Sequence, residues 1–301
     1  MATTKEIKNR MKSIKDTQKI TNAMYLIAST KLRKAKEELD LTRPYFSALQ
    51  GEIKRIFRIS EEIENKYFYP VTGEHELPGS YGYLVITADK GLAGAYNQNV
   101  IKEAMHLMQE HENPKLFVVG EYGRHYFMSH NIPIEKSFLY TAQNPTLQRA
   151  REISAILLDM FDKGELAKLF VIYTDMHSAM ESEICSTRLL PFHRAQFIVP
   201  DSHEKKVEKP FEFQPSIEKV LDNVVPSYVT GFIYAALVDS FCSEQNARMN
   251  AMDMANRNAQ EILDDLAFQY NHIRQTAITQ EITEISSGAR SMKKKRGVSV
   301  S

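Results

Sequence analysis

The residues best placed for chemistry follow Tyr83-Leu84-Val85-Ile86-Thr87, an apolar run that reads as a buried strand. Next comes Thr87-Ala88-Asp89-Lys90-Gly91-Leu92-Ala93-Gly94-Ala95-Tyr96-Asn97, a glycine-containing turn that opens a helix. Such a turn can hold a phosphate on its backbone N–H groups. Neither G-x-G-x-x-G nor a Walker A pattern is present, however. Gly91-x-x-Gly94 alone is read as a tight strand-to-helix turn, and Asp89 as a turn or cap residue rather than a base. His106 and His111 miss the i,i+4 spacing of a helical metal pair, as do His125 and His130. There is no H-E-x-x-H and no glycine-flanked serine elbow. No catalytic residue, cofactor or metal site is therefore expected. A nucleotide-binding α/β enzyme with helical arms stays as a competing reading.

The elements around that turn alternate. Asn97 to His111 reads as a helix, Lys115 to Gly120 as a strand and Tyr122 to His130 as a short helix. Thr146 to Lys163 is a further helix, followed by the strand Leu169 to Tyr173 and an added strand from Ile184 to Leu190. This alternation predicts a small α/β sheet domain covered by helices. It is bounded by two breaker-rich stretches, one carrying Pro70, Gly73, Pro78 and Gly79, the other running from Pro200 to Pro215.

The flanks differ sharply. Between Gly231 and Gly288 lie 56 residues with neither glycine nor proline. A helix through that window would be about 84 Å long, too long for one compact core. Met1 to Arg43 is equally free of breakers, with Thr3 or Thr4 able to cap a helix there. Pro44 can kink that helix or begin a new segment, a second stretch running from Tyr45 to Glu64. Ile7, Met11, Ile14, Gln18, Thr21, Tyr25, Ala28, Leu32, Ala35 and Leu39 form a 3.5-residue seam, apolar at eight of ten positions. A second seam follows Pro226, through Met252, Ala255, Ala259, Ile262, Leu266 and Ile273. The expectation is an antiparallel coiled coil of the two ends around a central Rossmann-like α/β domain, in the order 1–66, 67–214 and 215–301.

Thirty-eight basic and 38 acidic residues cancel, which points away from a nucleic-acid partner. Residues 1–40 nonetheless carry ten Lys/Arg against five Asp/Glu, and Lys293-Lys294-Lys295-Arg296 is a basic block. Each is either a solvated face or a surface that meets an acidic partner. Cys185 and Cys242 are far apart, which fits a reduced compartment. No run approaches 18 apolar residues and the first residues lack an apolar signal core, so a soluble chain without membrane insertion is expected.

The ends carry the most specific pattern. Ile278-Thr279-Gln280-Glu281-Ile282-Thr283-Glu284-Ile285-Ser286-Ser287-Gly288-Ala289 closely resembles the I-T-x-E-x-x-E-x-x-x-G-A signature of the gamma subunit of F-type ATP synthases. Ser243-Glu244-Gln245-Asn246-Ala247-Arg248-Met249-Asn250-Ala251-Met252 is similar to that family's S-E-x-x-A-R-M-x-A-M. Tyr270-Asn271-His272-Ile273-Arg274-Gln275 is similar to its Y-N-x-x-R-Q, and Ile14 to Met24 resembles its opening helix. The resemblance spans essentially the whole chain. Departures are Lys90 where many members have arginine, Ala93 where many have cysteine, and the added tail Lys293 to Ser301.

The resemblance implies a non-catalytic rotor: a coiled-coil shaft in the bore of an alpha–beta ring, with the α/β domain near epsilon and the membrane c-ring. ATP chemistry would belong to beta, and the complex would sit at the cytoplasmic face of a bacterial membrane. Carried over by position, the expected contacts with beta are Arg274, Gln275, Thr279, Glu281 and Glu284, with Met24 facing them from the amino-terminal helix. Arg248 is either a further contact or a partner within the shaft. A coiled-coil scaffold with an inert α/β insert remains the competing class.

Overall fold

The computed structural model describes residues 4–59, 64–69, 77, 79–139, 142–176, 182–193, 197 and 213–297. Thr3, Pro70, Gly73, Pro78 and most of the stretch from Pro200 to Pro215 lie outside the described residues. The elements are α1 (Thr4–Ile59), β1 (Tyr81–Ile86), α2 (Tyr96–Gln109), β2 (Pro114–Val119), α3 (Glu121–Ser129) and β3 (Lys136–Phe138). They continue with α4 (Leu147–Asp162), β4 (Lys168–Met176), β5 (Ser182–Leu190) and α5 (Ile217–Gly297). Two compact units result, residues 1–27 with 250–301, and residues 28–249.

In the larger unit the sheet order is β3-β2-β1-β4-β5. β1 pairs in parallel with β2 and β4, β3 is parallel to β2, and β5 is antiparallel to β4. β1 and β2 are buried along nearly their whole length, as strands covered on both faces by helices must be. Tyr83, Val85, Val100, Ile101, Val118 and Phe127 form the core on one face. On the other, Leu84, Ile86, Phe117 and Val171 join one core with Ile53, Ile56 and Phe57 of α1 and Leu221, Val225, Val229 and Ile233 of α5. Residues 28–59 and 217–249 of the two long helices are thus built into the α/β domain.

Both prolines sit inside helices, Pro44 in α1 and Pro226 in α5. The helix that sequence reading starts after Pro226 instead starts at Ile217, with the Ser216 hydroxyl accepting from the Lys219 N–H at 3.3 Å. An interior proline costs about 3 kcal/mol. Burial of Leu221, Val225 and Val229 around Pro226 offsets it, since each fully buried aliphatic side chain contributes about 1.5–3 kcal/mol. Gly231 is likewise inside α5, and a Cβ there would overlap the Phe46 ring. The absent side chain is what lets α1 approach. α5 contains a stretch apolar enough on composition to cross a bilayer, but 56% of it is buried within the protein, as in a core helix.

In the smaller unit, α1 and α5 residues pair through polar groups. The Gln18 side-chain amide donates to the Asn256 carbonyl at 3.4 Å and to Gln260 Oε1 at 3.5 Å, and the Thr21 hydroxyl bonds Asn256 Oδ1. Rising numbers on one helix meet falling numbers on the other, which is an antiparallel pair. Every residue of the amino-terminal seam from Ile7 to Leu39 is buried or half-buried. The carboxyl-terminal seam needs one correction: Ile262 is 43% exposed while Leu263 is 5% exposed. The 3.5-residue repeat runs Met252, Asn256, Ala259, Leu263, Leu266, Tyr270 and Ile273.

Candidate functional site

The turn after β1 occupies the place where a doubly wound sheet would hold a nucleotide, outside the carboxyl ends of its strands. Several of its polar groups are engaged by the chain itself, while the buried Asp89 Oδ2 has no hydrogen-bond partner among the described residues. Asp89 Oδ1 accepts from the Glu121 N–H at 2.9 Å, so the start of α3, a natural anion site, holds the chain's own carboxylate. Asn97 Oδ1 accepts from the Ala88 N–H at 2.9 Å, and the Thr87 hydroxyl accepts from the Gly123 N–H at 3.0 Å. Gly120, at φ 96°, lies so close to Thr87 that a Cβ would overlap its carbonyl. From α5, Arg248 donates to the carbonyl oxygens of Gly91 at 3.1 Å and Lys90 at 3.4 Å. Asp89 thus caps α3 through Oδ1, and Arg248 enters the crevice from α5.

Arg248 also bonds Glu244, and the two side chains are only 12% and 8% exposed. The sequence alone left Arg248 open between two roles; here its guanidinium is occupied inside the chain. Burial raises the Glu244 carboxyl above the usual range, outweighing the opposing pull of Arg248. Burial also pushes the Cys242 thiol up to about 12, so at neutral pH it is a protonated, unreactive group. A cavity of about 340 Å³ lies elsewhere, lined by Tyr45, Phe46, Leu147, Arg151, Pro226 and Thr230. Arg151 is its sole charged lining group, and the hydroxyls of Ser154 and Thr230, also in its lining, bond each other at 2.8 Å.

The other candidate residues lie where α5 carries no packing. Every residue from Arg274 to Arg290 is exposed. At about 100° per residue, Arg274 and Glu281 stand within about 20° of each other. Gln275 and Thr279 lie about 100–140° round from Arg274. Between these two polar edges run Ile278, Ile282 and Ile285, exposed by 48%, 61% and 73%. Four of the candidates therefore frame one apolar stripe. Glu284 is on another side of the helix, where it accepts from the Gln280 amide at 3.1 Å. The Thr279 hydroxyl donates to the Gln275 carbonyl at 2.9 Å, so only its acceptor lone pairs remain available.

Met24 does not face that patch, contrary to the expectation. The register of Gln18 and Thr21 against Asn256 and Gln260 brings half-buried Met24 level with residues near Asp253. That is about 30 Å along α5 from Arg274. Sequence reading missed the three isoleucines as a surface, because apolar residues at helical spacing signal a core unless the partner helix is seen to have ended.

A family model described as ATP synthase matches residues 3–292. The ATP synthase gamma chain of Acetivibrio thermocellus is 42% identical over 297 residues, covering 97% of this chain and 100% of that protein. The sodium-ion-specific ATP synthase gamma chain of Acetobacterium woodii is 36% identical, covering 95% and 98%. Among solved structures, a chain of the central stalk and c-ring of Tetrahymena thermophila mitochondrial ATP synthase superposes with a TM-score of 0.58 at 24% identity. It covers 78% of this chain and 99% of that one. A chain of the Euglena gracilis mitochondrial ATP synthase gives 0.55 at 14% identity, covering 90% and 95%. The structural matches establish the fold, and the near-full-length sequence matches establish descent. The chain belongs to the ATP synthase gamma-chain family.

Proposed function

We propose that this chain is the central-stalk rotor of an ATP synthase, a non-catalytic subunit that carries torque between a membrane ring and the catalytic sites of beta. The observation that carries this reading is the bare carboxyl-terminal stretch of α5. A single helix without tertiary packing is marginal in water. Three exposed isoleucines between Arg274/Glu281 and Gln275/Thr279 make a surface that other chains must sheathe. Polar edges beside a narrow apolar stripe suit a bearing that must release as well as hold. The exposed Lys5, Lys8, Arg10, Lys12 and Lys15 on α1 fit an acidic surface on the surrounding ring.

In this reading the ring is the alpha–beta hexamer, epsilon and the c-ring lie at the α/β domain, and attachment to the membrane is peripheral. Differential contacts of an asymmetric shaft set the three catalytic sites in different states. Co-purification tests it. A tagged chain should bring down alpha and beta in equal number, and the complex should turn a bead fixed to this chain when ATP is added. Rotation or ATP-driven pumping that persists without the chain would leave it a scaffold.

A further inference from the structure

Where α5 crosses the carboxyl ends of β1 and β4, polar side chains are buried alongside the apolar Phe241 and Cys242. Ser240, Ser243, Glu244 and Arg248 fall at spacings of three, four and eight, so they share one face. All four are well buried. The Ser240 hydroxyl accepts from the Thr174 N–H of β4 at 3.3 Å, and the Ser243 hydroxyl donates to the Thr174 carbonyl at 3.3 Å. Arg248 donates to Gly91 and Lys90 in the turn after β1, and Glu244 holds its guanidinium in place. Ala247, on the same face, packs with Ala88, Ala93 and Tyr96.

This is an unusual way to seat a helix. Apolar burial is non-directional, so a smooth apolar contact resists separation better than it resists turning. Hydrogen bonds weaken steeply with angle. Bonds standing off the α5 axis and anchored to two different strand ends must all distort together if α5 turns within the domain. We propose that Ser240, Ser243, Glu244 and Arg248 form the torque-bearing joint between α5 and the α/β domain. They are positioning residues that fix the rotational setting of the helix. The inference rests on the rotor reading above, and its own content is where the torque crosses.

The test assembles the chain with alpha and beta and fixes a bead to the α/β domain through Ser182→Cys, with Cys185 and Cys242 replaced. Bulk ATP hydrolysis and the stall torque on the bead are measured together. Arg248→Ala should leave hydrolysis within about twofold of the parent, under half a kcal/mol of barrier. It should lower the stall torque measurably, since it removes both hydrogen bonds from α5 to the turn after β1. Arg248→Lys should not restore it, because an ammonium lacks the planar fork. Ser240→Ala with Ser243→Ala removes the two bonds to Thr174 without stranding a buried charge, and should lower the torque alike. It decides the matter if Arg248→Ala fails to assemble. A merely structural role would lower the melting temperature and the yield of complex while leaving the torque of assembled complexes intact. Parental torque in the assembled variants overturns the joint. A parent complex that hydrolyses ATP without turning the bead overturns the rotor reading itself.

Discussion

Arg274 and Glu281 make no hydrogen bond or ion pair with the described residues, yet they stand on one edge of the same exposed stripe. Arg274→Ala with Glu281→Ala should therefore leave the free chain's helicity unchanged, alanine being the best helix former. In a complex with alpha and beta, each would lose a charge-assisted contact worth about 1.5–3 kcal/mol if desolvated, and turnover should fall about tenfold or more. Normal hydrolysis by a fully assembled double variant would return both residues to a solvated face. Glu244 offers a test with a definite sign. Its carboxyl is raised in the fold, chiefly by burial, so the native state binds its proton more readily than the unfolded chain does. Its contribution to stability is then fully present below the unfolded carboxylate range and is lost as pH rises through the folded value. Glu244→Gln removes that titration. The stability of the parent relative to Glu244→Gln, from urea melts, should grow as pH falls from neutral toward the unfolded carboxylate range. A flat or opposite trend would mean that Arg248 dominates the site.

Among the elements, the crossing of α1 and α5 at Gly231 gives the clearest prediction. Gly231→Ala gains about 1 kcal/mol in helix propensity. It also forces the Phe46 ring away from α5, and overpacking costs about 1–3 kcal/mol. The variant should be less stable than the parent in urea unfolding. In a Phe46→Ala background the same change should become neutral or stabilising, a coupling that a double-mutant cycle reads directly. This crossing also shows what sequence could and could not reveal. The amino-terminal seam was legible because a 3.5-residue repeat is a local property of one helix, and Gln18 and Thr21 stood out as its polar members. Ile262 and Leu263 are adjacent and equally apolar, so only the partner helix tells which one faces in. Pro226 and Gly231 read as boundaries because local propensity opposes them, whereas burial contributed by α1 and the sheet decides otherwise. β3 is three residues long and carries no repeat to detect. The bonds of Arg248 join positions more than 150 residues apart, beyond any local pattern.

For the whole molecule, what matters is how unevenly stability is spread along α5. Leu221, Val225, Val229 and Ile233 are fully buried, while Arg274 to Arg290 touch solvent on every side. Local opening follows packing, so one helix should show two regimes. In the free chain, amide exchange should be slow around residues 221–242 and fast from 274 to 290, where helix formation is only marginal. Assembly with alpha and beta would sheathe the second region. Its protection should then rise by at least about tenfold, near 1.4 kcal/mol of added local stability, while the first region barely changes. Mass spectrometry of exchange in the free and assembled chain reads both at once. Protection already high in the free chain would mean that the bare stretch has its own source of order. Protection that stays low after assembly would mean that the isoleucine stripe is not the bearing surface, and Arg274, Gln275, Thr279 and Glu281 would lose their common role with it.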